Sequence, residues 1–173
     1  MKLHFAISYC LFTLCFFCQN SSRPKEGKSP PSQITLSFEM EESVSGNKLY
    51  RIYAQKALLY EDKGEIAVIE PRVYFFTNCQ ITSYLTAREG KVFTKTSDLV
   101  AKGEVVVATE DSIYLFTDSL VWNNSAQKIE TDAHILIKNP QAVIEGEGLV
   151  SDAELSKITI KSEIEGKSDY EFK

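Results

Sequence analysis

Beyond residue 33 the apolar residues do not recur at helical spacing. They fall into short runs rich in β-branched and aromatic side chains, at 34–38, 49–54, 66–69, 73–76, 81–86 and 91–93. The series continues at 105–108, 112–116, 120–122, 129–131, 134–138, 142–145 and 158–160. Turn-forming clusters separate them: Ser45-Gly46-Asn47, Glu61-Asp62-Lys63-Gly64, Asn78, Asn123-Asn124-Ser125 and Asn139-Pro140. Side chains branched at Cβ pack well on a pleated surface, whereas Gly, Asn and Pro supply the backbone angles that end it. Many short strands at regular spacing predict an all-β sandwich or barrel.

The strands also repeat. Aligning 53–60, 86–93, 115–122 and 144–151 brings Ala57, Gly90, Ser119 and Gly148 into register, 33, 29 and 29 residues apart. A unit of two or three strands recurring at that period implies stacked, near-equivalent β-layers. A small residue at one fixed place in each unit predicts a close backbone approach or a bend.

Alternation is weak where it should be strongest. Val73-Tyr74-Phe75-Phe76, Val105-Val106-Val107, Ile113-Tyr114-Leu115-Phe116 and Ile135-Leu136-Ile137 are apolar at both parities. A sheet with one solvated face would show polar residues there. These strands are expected either to be covered on both faces or to turn one face to an apolar ligand or partner. Ordinary sandwich packing with half-exposed tyrosines fits the pattern equally well.

The amino-terminal block has a different pattern. Lys2 precedes an apolar run from Leu3 to Cys18, interrupted only by His4, Ser8 and Thr13. The run is shorter than the ~20 residues of a bilayer-spanning helix. It suits the apolar region of a secretory signal, with Lys2 as its charged start. It stops at Cys18 and gives way to Gln19-Asn20-Ser21-Ser22, as a bacterial lipoprotein leader does, although Phe17 stands where such leaders carry a small residue. Two readings lead, a lipidated Cys18 and an uncleaved signal anchor, ahead of a buried helix of a cytosolic protein. Residues 19–33, with Pro24, Pro30, Pro31 and several serines, read as a flexible linker. The expected organisation is a leader or anchor at 1–18, a linker at 19–33 and a β-domain at 34–173.

Composition narrows the chemistry. A chain of 173 residues suits one domain with a sizeable core, and 43% hydrophobic residues argue against disorder. Lys+Arg 19 against Asp+Glu 24 gives a net charge of −5, with no basic stripe, so no nucleic-acid partner is expected. Of four cysteines, Cys10, Cys15 and Cys18 lie in the leader, and Cys79 reads as a buried strand residue. Glu145 and Glu147 flank Gly146 at one strand parity and read as a solvated rim rather than a catalytic acid pair. His134 has no partner histidine or neighbouring nucleophile and reads as structural or surface, and Trp122 reads as core or half-exposed on a strand rather than as a sugar-stacking platform. Neither a Gly-rich phosphate loop, a CxxC pair nor an HExxH helix is present. No catalytic residue, metal or cofactor is expected, and the chain reads as a non-enzyme.

The order of these parts resembles a known family. Its units here are Ala54 to Tyr60, Leu85-Thr86-Ala87-Arg88-Glu89-Gly90, Gly103-Glu104-Val105-Val106-Val107, Leu115 to Leu120, and Ile144 to Leu149 with Asp152-Ala153-Glu154-Leu155. Behind an apolar anchor and a linker, this is similar to the LptC family and, more broadly, the OstA-like β-jellyroll superfamily, over residues 34 to about 164. The resemblance implies an all-β, open twisted jellyroll of repeated antiparallel strand units, preceded by an N-terminal apolar anchor or signal helix. It implies an apolar groove for the acyl chains of lipopolysaccharide and a position in the periplasm, tethered to the inner membrane. The implied partners are an inner-membrane ABC transporter complex (LptBFG-like) and a periplasmic jellyroll bridge (LptA-like), reached by strand-edge pairing. The family's carboxyl-terminal glycine matches Gly146 best and Gly148 second. Candidate groove residues are one parity of the strands: Val73, Phe75, Leu85, Val105, Val107, Ile113, Leu115, Ile135 and Ile137. The alternatives are a soluble LptA-like bridge of the same system and a lipoprotein whose β-domain is structural or adhesive.

Overall fold

A computed structural model describes residues 30–168, and eleven strands make up most of them. They are β1 (Gln33–Val44), β2 (Asn47–Tyr60), β3 (Glu65–Ile69), β4 (Arg72–Thr77), β5 (Gln80–Thr86) and β6 (Glu89–Phe93). The remainder are β7 (Leu99–Thr109), β8 (Tyr114–Asn123), β9 (Lys128–Lys138), β10 (Ala142–Ser151) and β11 (Thr159–Ser168). All join one antiparallel sheet.

The sheet is folded along its midline. β2 pairs with β4 through residues 50–53 and with β3 through 56–60. Likewise β7 pairs with β6 through 99–102 and with β5 through 106–109. So β3 and β4 are two legs of one bent strand, and so are β5 and β6. The long strands β7 to β10 bend at the same level. Two facing layers result. The first holds residues 47–53, β4, β5, 105–109, 114–117 and 135–138. The second holds 54–60, β3, β6, 99–102, 120–123 and 128–131.

The fold line is written in backbone geometry. Ladder registers slip between Lys102 and Val105, between Thr117 and Val121, and between Glu147 and Leu149. Extra residues of this kind bend a strand and increase its twist. Ser37, Glu70, Gly103, Glu104 and Gly148 have positive φ there. At Gly103 (+76°) and Gly148 (+71°) the absence of Cβ removes the usual cost of that conformation. Hydrogen bonding continues through the line, from Glu70 N to Arg88 O and from Arg88 N to Gly103 O, both 2.9 Å.

This folding corrects two boundaries expected from the sequence. The runs at 112–116 and 120–122 belong largely to β8, and those at 129–131 and 134–138 to β9. The polar gaps at Asp118 and Asp132 are bends, where side chains pass to the outside, and not turns between strands. The 30-residue repeat is therefore one folded hairpin of two bent strands. Of its small residues, Gly148 sits in a bend. Gly90 sits at a close approach, where a Cβ would lie 3.0 Å from Val68 Cγ2 and 3.2 Å from the Val100 carbonyl oxygen.

Cys79 is a further correction. It is exposed, at the tip of the β4–β5 hairpin, where Thr77 pairs with Gln80 and both Asn78 and Cys79 have positive φ. A two-residue hairpin of this type I′ form has left-handed backbone at both central positions, and this overrides the thiol's preference for burial. The apolar leader, Cys18 and most of the linker lie outside the described residues. Among the described residues no helix is long and apolar enough to cross a membrane.

Candidate functional site

The space between the layers is the candidate site. Val73 and Phe75 of β4, Leu85 of β5, Val105 and Val107 of β7, Leu115 of β8, and Ile135 and Ile137 of β9 are all buried in one cluster. Ile113, just before β8, is partly buried and packs against it. These nine residues all line the first layer. The facing wall comes from Val92, Leu99, Leu120, Trp122, Ile129 and Leu149, none of them among the sequence candidates. The runs supplying that wall are only about three residues long in the sequence, too short to show a parity. In β8 the inward parity changes at the bend, from Leu115 and Thr117 to Leu120 and Trp122. Continuing the odd parity past Asp118 would point to the wrong residues.

The two walls are in contact. Phe75 meets Trp122 with ring centroids 4.9 Å apart, and Tyr50 stands edge-on to Trp122 at 6.5 Å. The Tyr50 hydroxyl donates to the Ser97 carbonyl at 2.8 Å, tying the first layer to the β6–β7 turn of the second. Burial, helped by the nearby Glu42 charge, pushes the Tyr50 phenol well above its usual range. Between the walls lies a cavity of about 20 Å³ beside Ile52, Phe75, Leu85 and Trp122, enough for roughly one water.

The loop from β10 to β11 closes the side opposite the fold line. Ala153 and Leu155 insert into the apolar cluster, and Thr77 Oγ1 donates to Glu154 Oε1. Asp152 organises this loop: its Oδ1 accepts from Ser156 N at 2.7 Å, and its Oδ2 from Ser156 Oγ at 2.6 Å. Burial works to raise the Asp152 carboxyl. The hydrogen bonds from Ser156 and Lys157, with the Lys128 charge, outweigh it and hold the group below its ordinary value.

Little in this interior can do covalent chemistry. Its buried polar residues are Ser83, Thr117, Thr131 and Ser151. Thr117 Oγ1 donates to the His134 carbonyl at 2.9 Å, and Thr131 Oγ1 accepts from Ala133 N at 3.1 Å. Glu145 and Glu147 stand opposite Leu136 and His134 on the outer face, away from the interior. Gly146, opposite Ile135, is buried in β10, and Gly148 is the bend two residues on. No group of His, Cys, Asp and Glu among the described residues could hold a metal.

The doubly apolar strands are explained by the outer surface. Tyr74, Phe76, Val106, Phe116 and Leu136 lie outside and are half-buried by their neighbours. Tyr74 packs against Tyr53 at 5.9 Å and Tyr84 at 6.3 Å, and Tyr114 stacks on Phe116 at 6.4 Å. Lys48 and Lys138 lie over Phe76 and Phe116. Such pairs, cross-strand for the tyrosines around Tyr74 and along one strand for Tyr114 and Phe116, stabilise a sheet without a second covering layer. At the ends, β1 pairs only with β2 and β11 only with β10 among the described residues. β1 also leaves Ile34 and Leu36 exposed.

A family model described as lipopolysaccharide-assembly, LptC-related, matches residues 4–171. The chain belongs to the LptC-related family. The fold is similar to the crystal structure of LptH, the LptA-homologous periplasmic component of the lipopolysaccharide transport device of Pseudomonas aeruginosa. That likeness has a TM-score of 0.56 at 11% identity, over 70% of this chain and 95% of that one. Comparison with curated proteins gives no match. As an LptC-related protein the chain serves lipopolysaccharide transport and is not an enzyme.

Proposed function

We propose that this protein holds the acyl chains of lipopolysaccharide between its two layers and relays them toward the outer membrane. It works in the periplasm, tethered to the inner membrane by its amino terminus. It receives the lipid from an inner-membrane ABC transporter complex (LptBFG-like) and passes it to a jellyroll bridge (LptA-like). The free edges of β1 and β11 are its pairing surfaces for those neighbours. The observation that carries this reading is the apolar interior, continuous from β2 to the β10–β11 loop, whose buried polar side chains among the described residues are the hydroxyls of Ser83, Thr117, Thr131 and Ser151. Each apolar area of wall uncovered by opening is covered again by hydrocarbon, at roughly 25 cal/mol per Å² on either side of the exchange. The lipid therefore moves through at little net cost, as a relay needs.

Photo-crosslinkers at Phe75 and Val107 in cells test this. Lipopolysaccharide adducts at both positions are expected. No adduct, with normal export after deletion of the protein, would overturn the reading. The tether is tested separately by the mass of the mature amino terminus, which distinguishes a lipidated Cys18 from an uncleaved anchor. The fold likeness to an LptA homologue favours one second reading, a soluble bridge of the same system. A cleaved, unmodified amino terminus would select it.

A further inference from the structure

The β10–β11 loop fills part of the interior but belongs to neither wall. Between Ser151 and Thr159 it makes no ladder pair. Its one backbone hydrogen bond besides the ladders is internal, from Leu155 N to Asp152 O at 3.2 Å. Asp152 also accepts from Ser156 and Lys157, so these hydrogen bonds close within the loop itself. Swinging outward as a unit would break none of these bonds. The one side-chain hydrogen bond that holds it to the first layer is that between Thr77 and Glu154. Leu155, 2% exposed, has φ of +55°, a left-handed conformation that a leucine keeps only while packing compensates. On the inward face, Ser83 of β5 stands opposite Phe75, 2% exposed, and its hydroxyl has no partner among the described residues.

We propose that the space filled by Ala153 and Leu155 is an acyl-chain subsite, and that the β10–β11 loop is a plug displaced by one fatty acyl chain. This rests on the reading of the interior as lipid-binding. The cavity of about 20 Å³ beside Ile52, Phe75, Leu85 and Trp122 is too small for a chain, so a chain needs space that packed side chains now fill. Along the rest of the mouth, the aromatic contacts of Tyr50, Phe75 and Trp122 oppose separation of the layers. A saturated chain suits the vacated space because it asks for no hydrogen bond there. The ester or amide carbonyl that heads such a chain is an acceptor for the Ser83 hydroxyl.

The test uses the full chain with Thr77→Cys, Glu154→Cys and Cys79→Ser, carrying a photo-crosslinker at Val107. A short bis-methanethiosulfonate reagent bridges positions 77 and 154, and peptide mapping confirms the bridge. In the bridged protein the lipopolysaccharide adduct is expected to fall at least roughly tenfold and to return when reductant opens the bridge. Equal adduct in the bridged and reduced states would overturn the plug while leaving the lipid-binding interior standing. No adduct in either state would overturn the lipid-binding reading, and the plug with it. Both replaced residues of the latch lie at the surface of the mouth, and each sample serves as its own folding control.

Discussion

The Tyr50 hydroxyl and the Ser97 carbonyl, 2.8 Å apart, join the first layer to the second across the mouth of the fold. Tyr50 is fully buried and its ring meets both Phe75 and Trp122. Tyr50→Phe keeps the ring contacts and removes only the hydrogen bond. A loss of about 1 kcal/mol is expected. A lower urea midpoint at unchanged m, followed by Trp122 fluorescence, would show it.

The same residue sets an alkaline limit. The phenol has an ordinary value of 10.0 and is raised in the folded chain by burial. Above that pH the unfolded chain releases a proton that the folded chain retains. Its contribution is therefore fully present below about pH 10 and is lost as pH rises toward the folded value. Stability profiles of the parent and Tyr50→Phe should diverge at neutral pH and converge on the alkaline side.

Gly148→Ala tests the fold line. Its φ of +71° is costly for any residue with a Cβ, and an added Cβ would lie 2.7 Å from Lys161 Cδ and 3.0 Å from Lys161 Cβ. A destabilisation of about 1–2 kcal/mol from the backbone alone is expected, with more if Lys161 cannot shift. Loss of hydrogen-exchange protection should centre on β10 and β11. Uniform loss over the whole sheet would contradict a local role for the bend.

Asp152→Asn addresses the loop. The Asp152 carboxyl, held below its ordinary 3.8 by hydrogen bonds that outweigh burial, stabilises the loop above that pH. The contribution disappears as pH falls through the folded value. Asp152→Asn should raise amide exchange at 153–157 near neutral pH and flatten the acid dependence seen there in the parent. The rest of the sheet should keep its protection.

Leu115→Ala and Leu36→Lys separate interior from edge. Leu115 is fully buried, so its truncation is expected to cost about 2–5 kcal/mol through lost burial and a residual cavity. Leu36, 71% exposed on β1, should tolerate lysine within about 0.5 kcal/mol. Thermal unfolding of the two variants side by side checks both figures.

Local pattern alone carries the all-β class, most turn positions and the LptC-like order of units. Period-two spacing puts Val73 with Phe75, Val105 with Val107 and Ile135 with Ile137 on one face, but both parities are apolar there, so only the packed structure shows that this face is the inward one. Cys79 is exposed, not buried, because the pairing of Thr77 with Gln80 sets the two-residue turn that holds it, and residue type alone does not reveal that pairing. Tertiary structure decided that every long strand folds in half. It thereby made Leu120, Trp122, Ile129 and Leu149 the second wall of the same interior. It also placed Leu155 inside, from a segment that belongs to no strand. The physical reason is that a bulge breaks the alternation at one residue. Which side of the break faces inward depends on pairing with strands distant in sequence.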